Sequence, residues 1–590
     1  METSKHRSVA LVFVVLALAP SAHADFGRPA LSSHGMVASP HARATDAGVA
    51  MLQKGGNAVD AAVATAFAIS VTLPYSAGIG GGGFLLFHDG KSGEISALDF
   101  RERAPLAASR DMYTDGEGKV RKGAPTDGHL SVAVPGTVAG LFEVHHARGK
   151  LPWKDVLAPA IALADQGFEV SELYADFVEW RRDVLVANAA ARAIFLKPDG
   201  TPYLRGERFV QKDLAETLRR LASDPADFYE GKIAWAIVDD MAKNGGLVTA
   251  EDLKTYRPVW RAPVCGSYKG YRVCSMPPPS SGGVHIVQML QMLEPFDVGA
   301  KGWHSVDGLH AMTEVMRTAY ADRAEHLGDP AFVSVPVRGL TSPAYADIRR
   351  REISLARARK SSDVKAATKD ALARLSSVPP SKLGPREPAM MGNKTRDESP
   401  NTSHLTVVDK DLNAVSLTFT VNYGFGSGVV TPGTGILLND EMDDFSSAPG
   451  QPNAYGLVGG EANAIAPAKI PLSSMTPTIV TKDGRFAFAT GSPGGSTIIT
   501  TSLQVVLHVV DHGLDARAAV AAPRLHHQWL PDELRVEPGF DAATLEGLRA
   551  RGHTVKLVEP WGNASCIRVR ADGTLEGSAD PRGEGTAAGP

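Results

Sequence analysis

Between Gly55 and Leu73 the sequence GGNAVDAAVATAFAISVTL is apolar on nearly every side, with Asn57 placed to cap its start, which predicts a buried, alanine-rich helix. Pro152 and the following WKDVLAPAIALADQG predict a second helix ending at Gly167, and helical patterns continue to about residue 245. Between Leu355 and Asn401 the pattern breaks down into Lys, Ser, Arg, Pro and Gly, the composition of a mobile linker. In the next stretch, SHLTVVDKDLNAVSLTFTVNYGFGSGVV, β-branched and aromatic residues flank Asp409-Lys410-Asp411-Leu412-Asn413, predicting strand, turn and strand with Thr402 at the mouth. Two further strands are expected at 477–480 and 485–490, followed by a helix after the glycines of GSPGGSTIITTSLQVVLHVVDHG.

Composition narrows the class. At 590 residues the chain exceeds what one core usually organises, and its 43% hydrophobic and 21% charged residues are those of a folded globular protein. A net charge of −4 gives no field favouring nucleic acid or an anionic membrane, so a small-molecule substrate is expected. Lys5-His6-Arg7, the apolar run from Val9 to Ala19 and Ala22-His23-Ala24 have the order of a secretory signal cut after Ala24, so a periplasmic or secreted protein is expected, with no membrane span once the signal is removed. Cys265 and Cys274 flank a turn-like GSYKG, compatible with a local bridge or with two buried thiols; Cys566 reads as an inert buried thiol.

Several chemistries are disfavoured. The GxGxxG at Gly78, Gly80 and Gly83 follows a helix and precedes a strand, the reverse of a dinucleotide site, and reads instead as a glycine-lined wall. There is no HExxH, CxxC pair or GxSxG, and the side chains of adjacent His526 and His527 would diverge. Asn401-Thr402-Ser403-His404 remains, where a flexible segment meets a strand. A threonine hydroxyl is a poor nucleophile unless a base assists it, and a free α-amine on the same residue can do so, which requires a cut before Thr402. On these residues alone, a threonine that merely starts a strand is the favoured reading.

The order GGNAVDAAVA from Gly55, SAGIGGGGF from Ser76, LDFRERAP from Leu98, MPPPSSGG from Met276, TSHLTVVDKDLNAVSLTFTVN from Thr402, NDEMDDFS from Asn439, PLSSMTPTIV from Pro471, TGSPGGSTIITT from Thr490 and APRLHHQWLPDELRVE from Ala522 resembles the γ-glutamyltransferase family of bacterial type, within the N-terminal-nucleophile hydrolases. The resemblance implies an α+β fold, a four-layer αββα sandwich, cut from one precursor into a large subunit (25–401) and a small catalytic one (402–590). It implies no cofactor and no metal. The expected substrates are glutathione and other γ-glutamyl compounds, with water or an amino acid or peptide amine as acceptor, through a γ-glutamyl ester on Thr402.

By the same resemblance Thr402 is processing residue and nucleophile, Thr420 its hydroxyl partner, and Gly494 and Gly495 the oxyanion hole. Arg101, Ser473 and Ser474 would hold the substrate α-carboxylate, and Asn422, Glu441 and Asp444 its α-amine; Pro449 to Gly460, with Tyr455, resembles a lid. Two departures stand out. Leu412 occupies a usual glycine position, predicting a differently shaped hairpin tip with Asn413 able to turn left-handed, and Glu441 replaces a glutamine of some bacterial relatives. The alternatives are a cephalosporin or glutaryl acylase, a poly-γ-glutamate-processing enzyme, and a secreted binding protein that is never cut.

Overall fold

A computed structural model of the chain describes residues 27–375 and 401–590; the expected signal at 1–24 lies outside them. Two seven-stranded antiparallel sheets form the centre. The first runs, edge to edge, Thr586–Ala588, Gly35–Ser39, Ser403–Asp409, Ala414–Thr420, Gly82–His88, Ile95–Phe100 and Val259–Arg261. The second runs Ala30–Ser32, Leu575–Ala579, Ser565–Val569, Arg485–Gly491, Thr478–Lys482, Tyr271–Ser275 and Val264–Tyr268.

Side chains that alternate along each strand settle the layering. In Gly82–His88, Phe84 and Leu86 point into a core shared with Ile479, Ala489 and Ile567 of the other sheet. Their neighbours Leu85 and Phe87 point outward to the helices that include Ala58–Thr72. Val480 likewise faces away from the sheet interface, toward the helices Gly282–Leu293, Val306–His326 and Thr497–Val510. The order is helix, sheet, sheet, helix, the expected four layers. Both faces of the central strands are covered, which is why Ser403–Asp409 and Ala414–Thr420 are buried at every position rather than at alternate ones.

The helix expected after Gly55 spans Ala58–Thr72, and its cap is reciprocal. The Asn57 side chain accepts from the N–H groups of Val59 and Asp60, while Asp60 accepts from the Asn57 N–H. The hairpin expected after Thr402 is present, but its tip differs. Leu412, not Asn413, takes the left-handed conformation (φ +60°), and its carbonyl accepts from His88 Nδ1 at 3.0 Å. The linker expected from about residue 355 is also corrected. The chain continues through a 3-10 turn, Ser361–Asp363, and a helix, Lys369–Leu375, whose Leu372 and Leu375 pack with Leu327 and Leu340. A few well-spaced apolar residues suffice to dock a polar segment; residues 376–400 lie outside the described residues. Cys265 and Cys274 form a disulfide across neighbouring strands, and Cys566 is a buried free thiol.

Candidate active site

The hairpin register builds the first part of the site. Ser403 pairs with Phe419, so Thr402, one residue before, comes opposite Thr420, one residue after. Their hydroxyl oxygens are 3.0 Å apart, and Thr420 Oγ1 also accepts the Asn422 N–H at 2.8 Å. The glycine run makes room for this. A Cβ on Gly81 would sit 1.8 Å from the Thr420 carbonyl oxygen, and one on Gly80 2.1 Å from that of Leu437. Thr402 is 6% exposed and has φ +102°, a conformation that β-branched residues avoid. Asn401, immediately before it, is fully buried, and its side-chain amide has no hydrogen-bond partner among the described residues.

A small cavity opens beside Thr402, lined by Thr420, Asn422, Arg101, Glu441, Asp444, Ser473, Ser474, Tyr455 and Gly495. Of the expected site residues only Gly494 is absent from that lining, and it is one peptide away. Gly494 and Gly495 lie between the strand Arg485–Gly491 and the helix Thr497–Val510, with φ of +128° and +53°, and neither N–H has a partner among the described residues. A side chain on Gly495 would meet the Tyr455 ring at 2.4 Å, so the position is restricted to glycine by space as well as by backbone.

Arg101 projects just past the strand Ile95–Phe100; its N–H donates to Asp99 and its carbonyl accepts from the Tyr256 hydroxyl. The guanidinium is 1% exposed and ion-paired with Glu441 and Asp444, with Glu102 at 3.7 Å. Three carboxyls around one buried cation cannot all ionise freely. Burial pushes Glu441 up, and pushes Glu102, whose carboxyl lies against that of Glu441, up to about 7. Sequence reasoning missed Glu102, although it directly follows Arg101 in the same FRE motif.

The segment expected as a lid is a small hairpin closed by a Pro452–Val458 bridge. Tyr455 ties it down: its hydroxyl donates to the Asn422 carbonyl at 2.9 Å, and Asp443 accepts the Ala454 N–H at 3.2 Å. On the far wall, Ser473 Oγ accepts the Met475 N–H, and Ser474 Oγ accepts from Arg323, a second residue that sequence reasoning did not single out. His526 and His527 serve different neighbours, Thr500 and Asp532, and no group of three or more metal-binding side chains occurs among the described residues.

The Gamma-glutamyltranspeptidase family model matches residues 44–590. Relatives include the glutathione hydrolase proenzyme of Escherichia coli K12, 48% identical over 95% of this chain and 92% of that one. The glutathione hydrolase proenzyme of Pseudomonas sp. strain A14 is 43% identical over 92% of this chain and 88% of that one. Among solved structures, a cephalosporin acylase from Bacillus halodurans superposes with a TM-score of 0.82 at 29% identity, covering 98% of this chain and 99% of that one. With a buried threonine pair, an ion-paired head-group cavity and a match spanning nearly the whole sequence, this chain belongs to the γ-glutamyltranspeptidase family.

Proposed function

We propose that the chain is a glutathione hydrolase and γ-glutamyltransferase that cuts itself between Asn401 and Thr402 and then uses Thr402 as its nucleophile. The observation that carries this is the setting of Thr402: buried, at φ +102°, with its hydroxyl 3.0 Å from Thr420 and facing the Arg101 cavity. Positive φ at a threonine costs on the order of 1–3 kcal/mol, and cutting the peptide bond before it releases that constraint. The Thr402 hydroxyl adds to the Asn401 carbonyl carbon, the C–N bond breaks as the nitrogen takes a proton, and water hydrolyses the resulting ester. The products are an Asn401 carboxylate and a free Thr402 amine.

An α-amine ordinarily titrates near pH 8, so at neutral pH a useful fraction is free to take the hydroxyl proton in the next reaction. In turnover, Thr402 Oγ1 attacks the γ-carbonyl of the substrate while the Gly494 and Gly495 N–H groups face the developing oxyanion. The leaving amine departs with a proton, and water or an acceptor amine displaces the ester. Arg101, Ser473 and Ser474 hold the α-carboxylate; Glu441, Asp444 and Asn422 hold the α-ammonium. The zwitterionic head group thus replaces the internal Arg101 pairs charge for charge. That pairing favours an amino-acid head group over a glutaryl one, which carries no ammonium.

No described helix is long and apolar enough to cross a membrane, and we assign the mature protein to the periplasm or the exterior on its N-terminal sequence. The test is intact mass of wild type and Thr402→Ala, with release of the amine from γ-glutamyl and glutaryl anilides. Wild type splits into two chains, the smaller beginning at Thr402, and prefers the γ-glutamyl anilide; Thr402→Ala stays whole and inactive. A folded wild type that stays whole would refute the self-cleaving mechanism and favour a binding protein. Preference for the glutaryl anilide would favour an acylase.

A further inference from the structure

MPPPSSGG, one of the clearest motifs in the sequence, touches no part of the cavity, yet it holds the cavity wall. Ser280 Oγ donates to the Met475 carbonyl at 2.6 Å, and Ser281 gives both its N–H and its hydroxyl to the Ser473 carbonyl at 2.8 Å. Behind both serines stands Arg323, on the helix Val306–His326. Its Nε donates to Ser281 Oγ at 3.1 Å and its Nη2 to Ser474 Oγ at 3.0 Å.

Arg323 is 4% exposed and makes no ion pair among the described residues, Asp444 attracting it only from beyond that distance. Arg101, by contrast, has three carboxyls around it. A buried guanidinium held only by hydroxyls is costly unless an anion comes near. The hydroxyl geometry shows where that anion belongs. Ser474 Oγ accepts from Arg323 and Ser473 Oγ accepts from the Met475 N–H, so each hydroxyl keeps its own proton to donate into the cavity.

We propose that Arg323 is a positioning residue of the α-carboxylate subsite: it orients the Ser474 hydroxyl so that its proton faces the cavity, and it supplies the buried positive charge behind it. Arg101 meets the carboxylate directly, and Arg323 acts through Ser474. The inference rests on the reading of Ser473 and Ser474 as carboxylate-binding, and deepens it.

The experiment measures competitive inhibition of the processed enzyme by L-glutamate, by glutarate, which lacks the amine, and by 4-aminobutyrate, which lacks the α-carboxylate. Arg323→Gln weakens glutamate and glutarate by about tenfold or more, the worth of a hydrogen bond to a charged group, and leaves 4-aminobutyrate unchanged. KM for a γ-glutamyl anilide rises while kcat holds, and Arg323→Lys recovers part of the loss. Equal weakening of all three inhibitors, or a fall in kcat alone, would overturn the proposal. If Arg323→Gln does not fold, Arg323→Lys decides: selective weakening of glutamate and glutarate, with 4-aminobutyrate unchanged, supports the proposal and uniform weakening ends it. Ser474→Ala separates the two claims. Selective loss there with Arg323→Gln unaffected removes only the role of Arg323; no selectivity at Ser474 removes the subsite reading itself.

Discussion

Glu441 shows how one residue sets the behaviour of the head-group cavity. Glu102 and Glu441 are both buried against Arg101, and burial pushes both carboxyls up, Glu102 to about 7. As pH falls below about 7, the level to which Glu102 is raised, that carboxyl takes up its proton and the cavity loses negative charge. The substrate ammonium is then held less well, so KM for a γ-glutamyl anilide rises toward acid pH. Glu441→Gln removes one carboxyl: KM rises by about tenfold at pH 8, and its dependence between pH 6 and 8 flattens. Unchanged KM and an unchanged profile would show that Glu441 does not meet the amine. Arg101 and Glu441 were recognisable from their motifs. Their burial was not, because nothing local in FRE or NDEMDD distinguishes a surface ion pair from a core one.

At the scale of elements, the segment expected as a lid is a hairpin, and the Tyr455 hydroxyl on the Asn422 carbonyl is one of its fastenings. Tyr455→Phe keeps the ring against Gly495 and removes only that bond, worth about 1 kcal/mol net, which shifts lid opening by roughly fivefold. Hydrogen exchange at 450–459 should quicken accordingly, with processing at Thr402 unaffected; failure to process would mean that the tyrosine supports the fold itself. The helix Ala58–Thr72 and the hairpin from Ser403 to Thr420 were legible because their determinants are local: a capping residue, an apolar run, a turn between β-branched stretches. The helix Lys369–Leu375 was not. Its polar surface reads as linker, and residues outside the segment, Leu327, Leu340, Tyr345 and Leu472 among them, give Leu372 and Leu375 somewhere to bury.

At the scale of the molecule, the two pieces that the proposed cut would leave share both sheets. Ser403–Asp409 and Ala414–Thr420 lie between Gly35–Ser39 and Gly82–His88, and Tyr271–Ser275 pairs with Thr478–Lys482. Pulling the small piece away would leave backbone hydrogen bonds unmade along the strands on either side, so the pieces should not part without unfolding. Processed protein is therefore expected to elute as one species on native size exclusion and to give two bands only under denaturing conditions. Two native peaks would contradict the interleaved topology.

The sequence alone determined the elements written in short-range pattern and, through motif order, the family. It could do so because caps, turns and apolar periodicity act over a few residues. Only the tertiary structure decided which charges are buried together around Arg101, that Arg323 stands behind Ser474, and that the segment after Leu355 packs. Each depends on residues from separate segments meeting in a dry interior, and burial, which sets the strength of every charge in this site, is a property of the fold and not of any one segment.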